Sequence, residues 1–266
     1  MSAQYFGSKA ALAKWICDNL PSHTSYIEPF AGSGSVLLQK QRCQTEQLND
    51  LNQSAINYLR WLQSDVAALV NTIHHLQPDY TIALPTEDQT IASAASFYLY
   101  SQLSFMGGGT RWSTGASTNG YKINTGHLWQ DSQRLQGVKL TRQDAFEVIE
   151  QVSDPDTLLY VDPPYLGSVR KSKDNRTANP VESMPRRQYA YELLSENEHR
   201  RLGEVLHRSP AMVVLSGFPS SLYESLFEVQ GWAAASKRVN GGVERLWLNH
   251  AAQKRLPQLS LLEVAA

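Results

Sequence analysis

The stretch TLLYVDPPY, from Thr157 to Tyr165, decides the fold class of this chain. Residues Thr157–Val161 are all apolar or β-prone, which predicts a buried strand, and the first proline ends it. The Asp162 carboxylate and the Tyr165 ring therefore follow the carboxyl end of a strand, where open α/β sheets bind ligands. The two adjacent prolines fix the backbone and leave carbonyl groups with no neighbouring N–H to occupy them. Such a cluster suits a planar group that carries an NH₂, for example a nucleobase.

Along the rest of the chain, strand patterns alternate with helix patterns, which predicts an α/β fold with a doubly wound, mostly parallel sheet. An Asn-Gly signal at 240–241 indicates a closing antiparallel hairpin and so a mixed sheet. Besides the strand at 157–161, the predicted strands are Thr24–Phe30, Glu46–Asn49, Val138–Thr141, Ala211–Leu215, Val229–Ala235 and Glu244–His250. The predicted helices are Ser35–Arg42, Asn52–Leu62, Asp65–Leu76, Thr90–Phe105, Ala145–Gln151, one that begins at Ser195 with a capping box to Glu198, and Ser220–Leu226.

One segment interrupts the alternation of strands and helices. From 65 to 136 the pattern is helical and then rich in glycine, with six glycines between Gly107 and Gly126. We therefore expect a catalytic domain of residues 1–64 and 137–254, with residues 65–136 inserted as a mainly helical second domain.

Composition excludes some classes of protein and leaves others open. The 24 basic and 25 acidic residues give a net charge of −1, which argues neither for nor against a nucleic-acid partner. Two cysteines, Cys17 and Cys43, give no disulfide framework, and the His and Cys positions show no metal-ligand spacing. The sequence begins without a signal-peptide pattern, and no apolar stretch approaches the about 18 residues of a membrane span. We expect a cytoplasmic protein that holds no metal and does not enter a membrane.

A glycine turn, EPFAGSG at 28–34, follows the first predicted strand. Glycine at a strand–helix junction lets a ligand approach the backbone closely. No Gly-Lys-Ser/Thr follows, so the turn is not a phosphate-binding P-loop, and the full dinucleotide pattern is also missing. Asp50 ends the second strand about 20 residues later, where an acid can hydrogen-bond ribose hydroxyls. Asp50 could be a helix cap, either instead of or together with binding ribose, and capping is also the alternative for Asp144 after a later strand.

The ordered set of motifs resembles the Dam-type (α-class, D12) DNA adenine methyltransferases. It comprises YFGSK at 5–9, the turn ending in FAGSG at 30–34, LNDLN at 48–52, the DPPY of 162–165 and VVLS at 213–216. The resemblance spans nearly the whole chain and implies the Rossmann-like fold of S-adenosylmethionine-dependent methyltransferases. It also implies that the inserted domain reads the DNA target, with a hairpin around Phe105–Asn124. The run Gly107–Gly109 departs from the family pattern.

The resemblance also implies roles for individual residues. Tyr5 and Lys9 would lie over the adenine and methionine ends of S-adenosylmethionine, Asp50 would take the ribose, and Asp144 would approach the cofactor's adenine. The implied cofactor site is Tyr5, Lys9, Pro29, Phe30, Gly32, Gly34, Asp50, Asp144 and Asp162. Contacts with double-stranded DNA are expected from Arg111, Trp112, Lys122, Arg170 and Lys171, the last two in a basic loop between 166 and 190.

The residues also support the chemistry of amino methylation. An exocyclic amino nitrogen is a poor nucleophile because its lone pair is conjugated into the base. Two acceptors placed tetrahedrally about it, the Asp162 carboxylate and the Pro163 carbonyl, favour sp³ character and free that lone pair. Pro164 keeps the backbone rigid, and Tyr165 can stack on a base that has left the duplex. The methyl group would then transfer directly, without a covalent intermediate.

Several alternatives stay open at this point. The same amino-activating cluster would serve cytosine N4, and a methyltransferase of RNA or of a protein amide belongs to a different class. A DNA-binding module with an inactive site is the non-enzyme reading, and a dehydrogenase is weaker because the glycine pattern is incomplete. Methylation of cytosine carbon 5 needs a thiolate, but Cys17 and Cys43 are predicted to be ordinary helix residues. We expect a monomer that methylates adenine N6 in DNA.

Overall fold

The structure is a computed structural model that describes residues 9–76, 86–103, 123–164, 195–239 and 242–256. The strands are β1 (Ser25–Glu28), β2 (Thr45–Asn49), β3 (Lys139–Thr141), β4 (Thr157–Val161), β5 (Met212–Gly217), β6 (Ala233–Val239) and β7 (Gly242–Leu248). The helices are α1 (Ala13–Asp18), α2 (Gln53–Ser64), α3 (Val66–Leu76), α4 (Ile91–Leu103), α5 (Leu128–Leu135), α6 (Ala145–Glu150), α7 (Glu196–Arg208), α8 (Ser221–Tyr223) and α9 (His250–Gln253).

Within the described ranges, seven strands form one mixed sheet in the order β3-β2-β1-β4-β5-β7-β6. The first five in this order are parallel, and β7 pairs antiparallel with both β5 and β6. The strand order changes direction between β1 and β4, since β1 pairs β2 on one side and β4 on the other. A crevice at the carboxyl ends of β1 and β4 is where such sheets bind ligands. This topology confirms the predicted Rossmann-like, doubly wound fold.

Helices cover both faces of the sheet because successive residues of the central strands point to opposite sides. In β4, Leu158 and Tyr160 belong to one hydrophobic cluster, which α1 to α5 and α9 complete. Leu159 and Val161 belong to a second cluster, formed with α6, α7 and α8. All five residues of β4 are buried, as its apolar sequence predicts.

The described part of the predicted insertion packs against the catalytic sheet. Leu69 of α3, Ala95 of α4 and Leu128 of α5 share one hydrophobic cluster with Tyr26 of β1 and Leu48 of β2. The division of the chain at residues 65 and 136 stays a prediction.

A buried ion-pair network joins α5 to β2. Arg134 lies 2.5 Å from Glu46 Oε2 and 2.8 Å from Oε1, and Lys40 Nζ lies 2.8 Å from Oε1. Burial of Glu46 would raise its pKa, but the hydrogen bonds from Arg134 and Lys40 outweigh burial and lower the pKa to about 2. The carboxylate is therefore charged whenever the protein is folded near neutral pH.

The predicted helix at Ser35–Arg42 is wrong, because this segment consists of turns. The N–H of Leu37 donates to the buried Glu28 Oε1 at 2.8 Å rather than to a backbone carbonyl. Leu38 N–H does bond Gly34 O at 3.0 Å, but Gln39 then bonds Val36 O in a tighter turn. The Leu37 N–H lies in the first turn, where a helix would leave it without a backbone partner. The regular pattern fails instead at Gln39, whose N–H bonds the third rather than the fourth preceding residue.

The strands of the closing hairpin are shifted from their predicted positions. β6 begins at Ala233 rather than at 229, because α8 continues into a π-helical turn over Glu224–Glu228 and the chain reverses at Gly231, whose φ is 81°. β7 begins at Gly242 rather than at 244, and Val239 pairs with Gly242. The pairing confirms the hairpin, while residues 240 and 241 lie outside the described ranges.

Two predicted local features, the cap of α7 and the positions of the cysteines, have clear outcomes. Ser195 caps α7 in a full capping box with Glu198, as predicted. Cys17 lies in α1, but Cys43 lies in the loop before β2, so its helical assignment is wrong. No helix among the described residues has the length and apolar character to cross a membrane.

Candidate active site

Asp162 directly follows β4 at the switch point of the sheet and is paired with a buried lysine. Lys9 Nζ lies 2.9 Å from Asp162 Oδ1, with 6% and 17% of the two side chains exposed. The sequence singled out both residues, but not their contact. Because a buried ion pair is screened little by water, Lys9 fixes the orientation of the carboxylate.

Two further side chains complete this group. Glu244 of β7, whose side chain is 4% exposed, places Oε1 3.3 Å from Lys9 Nζ. Ser216 of β5 places Oγ 3.2 Å from Asp162 Oδ1 and 3.1 Å from Glu244 Oε1. We call Lys9, Asp162, Ser216 and Glu244 the lysine–acid cluster. It combines a residue near the start of the sequence with residues of β5 and β7 and the residue that follows β4.

Sequence reasoning missed Glu244. The available signal was the alternation of side chains along a strand, which puts Glu244 on the same face as Leu246 and Leu248. All three residues are buried. A buried acid on such a face needs a partner, and Lys9 provides it.

Burial and charge act in opposite directions within the cluster. Burial of Lys9 would lower its pKa, but the charges of Asp162 and Glu244 outweigh burial and raise the pKa above its ordinary value. Burial raises the pKa of the Asp162 carboxyl, and Glu244 adds to that rise while Lys9 opposes it. Lys9 is thus a permanent cation, and a proton on Asp162 is easier to gain than on an exposed aspartate.

The glycine turn lies beside the end of β1 and is tied to Asp50. Gly32 and Gly34 have φ values of 52° and 66°, in the left-handed region that glycine adopts without strain. Gly32 N–H donates to Asp50 Oδ2 at 2.7 Å, and Asn52 N–H donates to Oδ1 at 2.8 Å. Burial of Asp50 raises its pKa against these two bonds. The carboxylate therefore holds the turn against the end of β2.

Asp50 is not the helix cap, and Asp144 is one. Asn52 caps α2 by accepting from Ser54 N–H and Ala55 N–H. Asp144 caps α6 by accepting from the N–H groups of the next helical turn, the nearer at 2.8 Å. The capping alternative is thus wrong for Asp50 and right for Asp144, and a contact of Asp144 with the cofactor stays a prediction.

Asn49, which is fully buried, joins three strand ends. Its Nδ2 donates to Pro29 O and Gln143 O, each at 3.0 Å. Its Oδ1 accepts from Thr141 Oγ1 at 2.8 Å and from Gln143 N–H at 2.9 Å. These bonds link the segment that follows β1 to the segment that follows β3. Asn49 therefore stabilises the strand ends next to the glycine turn. A strand-end asparagine beside Asp50 gave only a weak sign of this role.

The other predicted site residues divide by whether the structure describes them. Phe30 packs against the second hydrophobic cluster, and Pro163 and Pro164 follow Asp162 as expected. The remaining predicted residues lie outside the described ranges: Tyr5, Arg111, Trp112, Lys122, Tyr165, Arg170 and Lys171.

Comparison with known proteins identifies the family of this chain. The sequence model of the D12 class N6 adenine-specific DNA methyltransferases matches residues 5–209. The type II methyltransferase M.MjaIII of Methanocaldococcus jannaschii is 23% identical over 197 residues, which cover 61% of this chain and 68% of that protein. The putative methyltransferase yhhF of Escherichia coli aligns over 90% of this chain and 84% of its own, with 11% identity and a TM-score of 0.33. A score this low defines no shared fold, so the fold rests on the strand order. The family match covers well over half of the sequence, and the chain belongs to the D12 class N6 adenine-specific DNA methyltransferases.

Proposed function

We propose that the lysine–acid cluster and the Gly32–Gly34 turn form the place where S-adenosylmethionine and a flipped adenine of double-stranded DNA meet. The family establishes a methyltransferase of adenine N6, and its chemistry depends on S-adenosylmethionine. The buried contact between Lys9 and Asp162 at the sheet's switch point carries the assignment of the site. The DPPY acid follows β4 and the glycine turn follows β1, and the parallel pairing of these two strands supports a shared site in the crevice where such folds bind ligands.

The described residues fit a nucleoside cofactor with an amino-acid end. Asp50 uses one acceptor site on each carboxylate oxygen for backbone N–H groups, and a carboxylate has about four such sites, so acceptors remain for ribose hydroxyls. Lys9 with its two acids suits the charged amino-acid end. When bound, S-adenosylmethionine supplies a methyl group that its positively charged sulfur makes electrophilic. Tyr5, Phe30 and Asp144 would contact its adenine end.

For the target base, Asp162 and the Pro163 carbonyl would accept from the two hydrogens of the amino group and leave its lone pair free. Lys9 holds Oδ1 of the carboxylate at 2.9 Å, which limits how Oδ2 can turn toward the base. Pre-oriented acceptors of this kind need no rearrangement when charge develops on the nitrogen. Tyr165 would stack on the base and return part of its unstacking cost.

DNA recognition is assigned to residues 65–136 and to the basic loop. Arg111 and Trp112 would contact the target sequence, while Lys122, Arg170 and Lys171 would contact phosphates.

A single chain holds the complete set of proposed residues, which supports a monomer. Cytosine N4 loses support because the matched family is adenine-specific. The archaeal relative is named a type II methyltransferase, and this name supports our proposal of a place in a restriction–modification system.

The test is direct methylation of unmodified DNA with S-adenosylmethionine, followed by digestion and mass spectrometry of the nucleosides. We expect N6-methyladenine from the wild-type protein. Asp162→Ala should lower single-turnover transfer by at least roughly 10²–10³-fold, because it removes a pre-oriented acceptor.

Asp156→Ala is the matched control for that variant. Asp156 directly precedes the amino end of β4, whereas Asp162 follows its carboxyl end, and Asp156 pairs with Arg255 on the surface. Replacing Asp156 should therefore leave the rate of methyl transfer unchanged. Wild-type rates in Asp162→Ala would show that the DPPY stretch only ends a strand.

A further inference from the structure

The carboxyl end of α5 is held against the sheet by an ion pair with fixed geometry. Arg134 donates to both carboxylate oxygens of Glu46, at 2.5 Å and 2.8 Å, and the two side chains are 15% and 2% exposed. Two parallel hydrogen bonds between a guanidinium and a carboxylate fix the angle between the groups as well as their distance. Because Glu46 belongs to β2, this pair sets the orientation of α5 relative to that strand.

Two glutamines join the same end of α5 to the end of α2. Gln63 Nε2 donates to Leu135 O at 2.6 Å and to Val138 O at 2.8 Å. Gln136 Nε2 donates in return to Gln63 O at 2.7 Å. Since the predicted insertion runs from 65 to 136, these bonds connect its two boundaries. We call Glu46, Gln63, Arg134 and Gln136 the boundary cluster.

Arg42, in the loop before β2, adds a connection through the backbone. Its guanidinium donates to the carbonyl of Arg134 and, at 2.8 Å, to that of Gln136. Carbonyl groups at the carboxyl end of a helix lack helical partners and favour a positive charge. The end of α5 is therefore held through its backbone as well as through the side chain of Arg134.

The boundary cluster restricts geometry, and this effect matters more than its contribution to stability. The cost of removing two charges from water can exceed their mutual attraction, so a buried ion pair is weak evidence for stability. α5 has eight residues and is about 12 Å long, so a tilt of about 10° at one end moves the other end by about 2 Å. A misplacement of about 1 Å can lower a reaction rate about 10²-fold.

We propose that Arg134 and Glu46 are positioning residues for DNA recognition, which fix α5, the helix that follows the target-reading part of the chain, in one orientation to the catalytic sheet. This inference rests on the proposed function, which assigns target recognition to residues 65–136. Glu46 lies near the amino end of β2, whereas Asp50, the proposed ribose acceptor, follows its carboxyl end. Loss of the ion pair should therefore disturb the recognition of DNA and leave cofactor binding intact.

Glu46→Gln keeps the size of the side chain and removes the charge that Arg134 contacts. The measurements are steady-state methylation of unmodified plasmid DNA, the calorimetric Kd for S-adenosylmethionine, and sequencing of the N6-methyladenine positions. We expect methylation at additional sequences and an unchanged Kd. The KM for DNA should rise about tenfold, as for a protein whose competent orientation is populated only about a tenth of the time. Wild-type KM and wild-type sequence preference in the folded variant would overturn the inference.

Arg134→Lys tests the geometry of the pair and serves if Glu46→Gln fails to fold. It leaves Lys40 with its acid and keeps a positive charge at 134, but an ammonium group cannot form the two parallel hydrogen bonds. We expect a smaller change in the same direction, in both the KM for DNA and the sequence preference. Wild-type behaviour of Arg134→Lys would refute the orienting role, because the charge alone would then be sufficient.

Glu228→Gln is the matched control for Glu46→Gln. Glu228 Oε1 accepts from Arg245 at 2.6 Å and from Trp247 Nε1 at 2.9 Å, and these partners lie on β7, toward the opposite edge of the sheet from β2. The control should lower the melting temperature without changing the KM for DNA. Equal changes of KM in the two variants would assign the effect to general destabilisation and overturn the inference. A wild-type protein that forms no N6-methyladenine would instead overturn the proposed function.

Discussion

At the scale of single residues, Glu28 connects protonation to the stability of the site. It is buried at the end of β1, where Oε1 accepts from Tyr26 Oη at 2.9 Å and from Leu37 N–H at 2.8 Å. Burial outweighs these bonds and raises the pKa of Glu28 from an ordinary 4.5 to about 8. Between these values the native protein keeps a proton that the unfolded chain has lost. The free energy of unfolding therefore falls as pH rises, by at most about 1.4 kcal/mol per pH unit from this group.

Glu28→Gln should remove that slope, because an amide resembles the protonated acid and cannot titrate. Its oxygen can still accept from Tyr26 and Leu37. We expect the variant to gain stability relative to wild type as pH rises from 4.5 to about 8. Urea unfolding at a series of pH values measures the difference. Parallel curves for the two proteins would show that Glu28 is ionised in the fold.

At the scale of elements, the glycine turn depends on a backbone conformation and on a close approach. Gly34 has a φ of 66°, and a Cβ there would lie 2.7 Å from Leu48 Cδ1 of β2. Gly34→Ala should destabilise the protein by about 1–2 kcal/mol and weaken cofactor binding, because the left-handed conformation is strained for alanine. Thermal unfolding with and without S-adenosylmethionine measures both effects.

Gly203→Ala in α7 is the control for that substitution. A Cβ at Gly203 would meet Leu226 at an ordinary 3.5 Å, and alanine favours a helix. Stability should therefore rise or stay level. Equal losses in the two variants would mean that the turn has no special requirement for glycine.

A comparison of the predicted and observed elements shows which parts of the fold and of the site the sequence can predict. The strand at Thr157–Val161 and the acid that follows it were predictable, because an apolar run stopped by proline is a local signal. The turns that replace the predicted helix at 35–42 were not predictable, because their hydrogen bonds mix three-residue and four-residue spacing, which the sequence pattern does not encode. The contact of Lys9 with Glu244 joins residues from distant parts of the chain through the sheet order, which no local pattern encodes.

At the scale of the whole molecule, DNA binding should depend strongly on salt despite the net charge of −1. Phosphate contacts release counterions in proportion to their number, whatever the total charge of the protein. Replacing Arg170, Lys171 and Lys173 together by alanine should weaken binding and flatten the slope of log affinity against log salt. Fluorescence anisotropy with a labelled duplex at several salt concentrations measures the slope.

The matched control removes the same number of positive charges near the amino ends of the parallel strands. Lys139 begins β3, Arg208 ends α7 before β5, and Arg255 pairs with Asp156 before β4. Replacing these three by alanine should leave the salt slope close to that of wild type. Equal slopes for both triple variants would assign the effect to net charge alone.

The contact of Lys9 with Glu244 also has a consequence for protein synthesis. Along the chain Lys9 precedes every described strand, but its partner Glu244 lies on β7, which follows all the other described strands of the sheet. Until Glu244 has been synthesised, Lys9 and Asp162 lack the second acid. We expect a nascent chain halted before residue 244 to bind S-adenosylmethionine more weakly than the full chain, so methylation of DNA during translation should be slow.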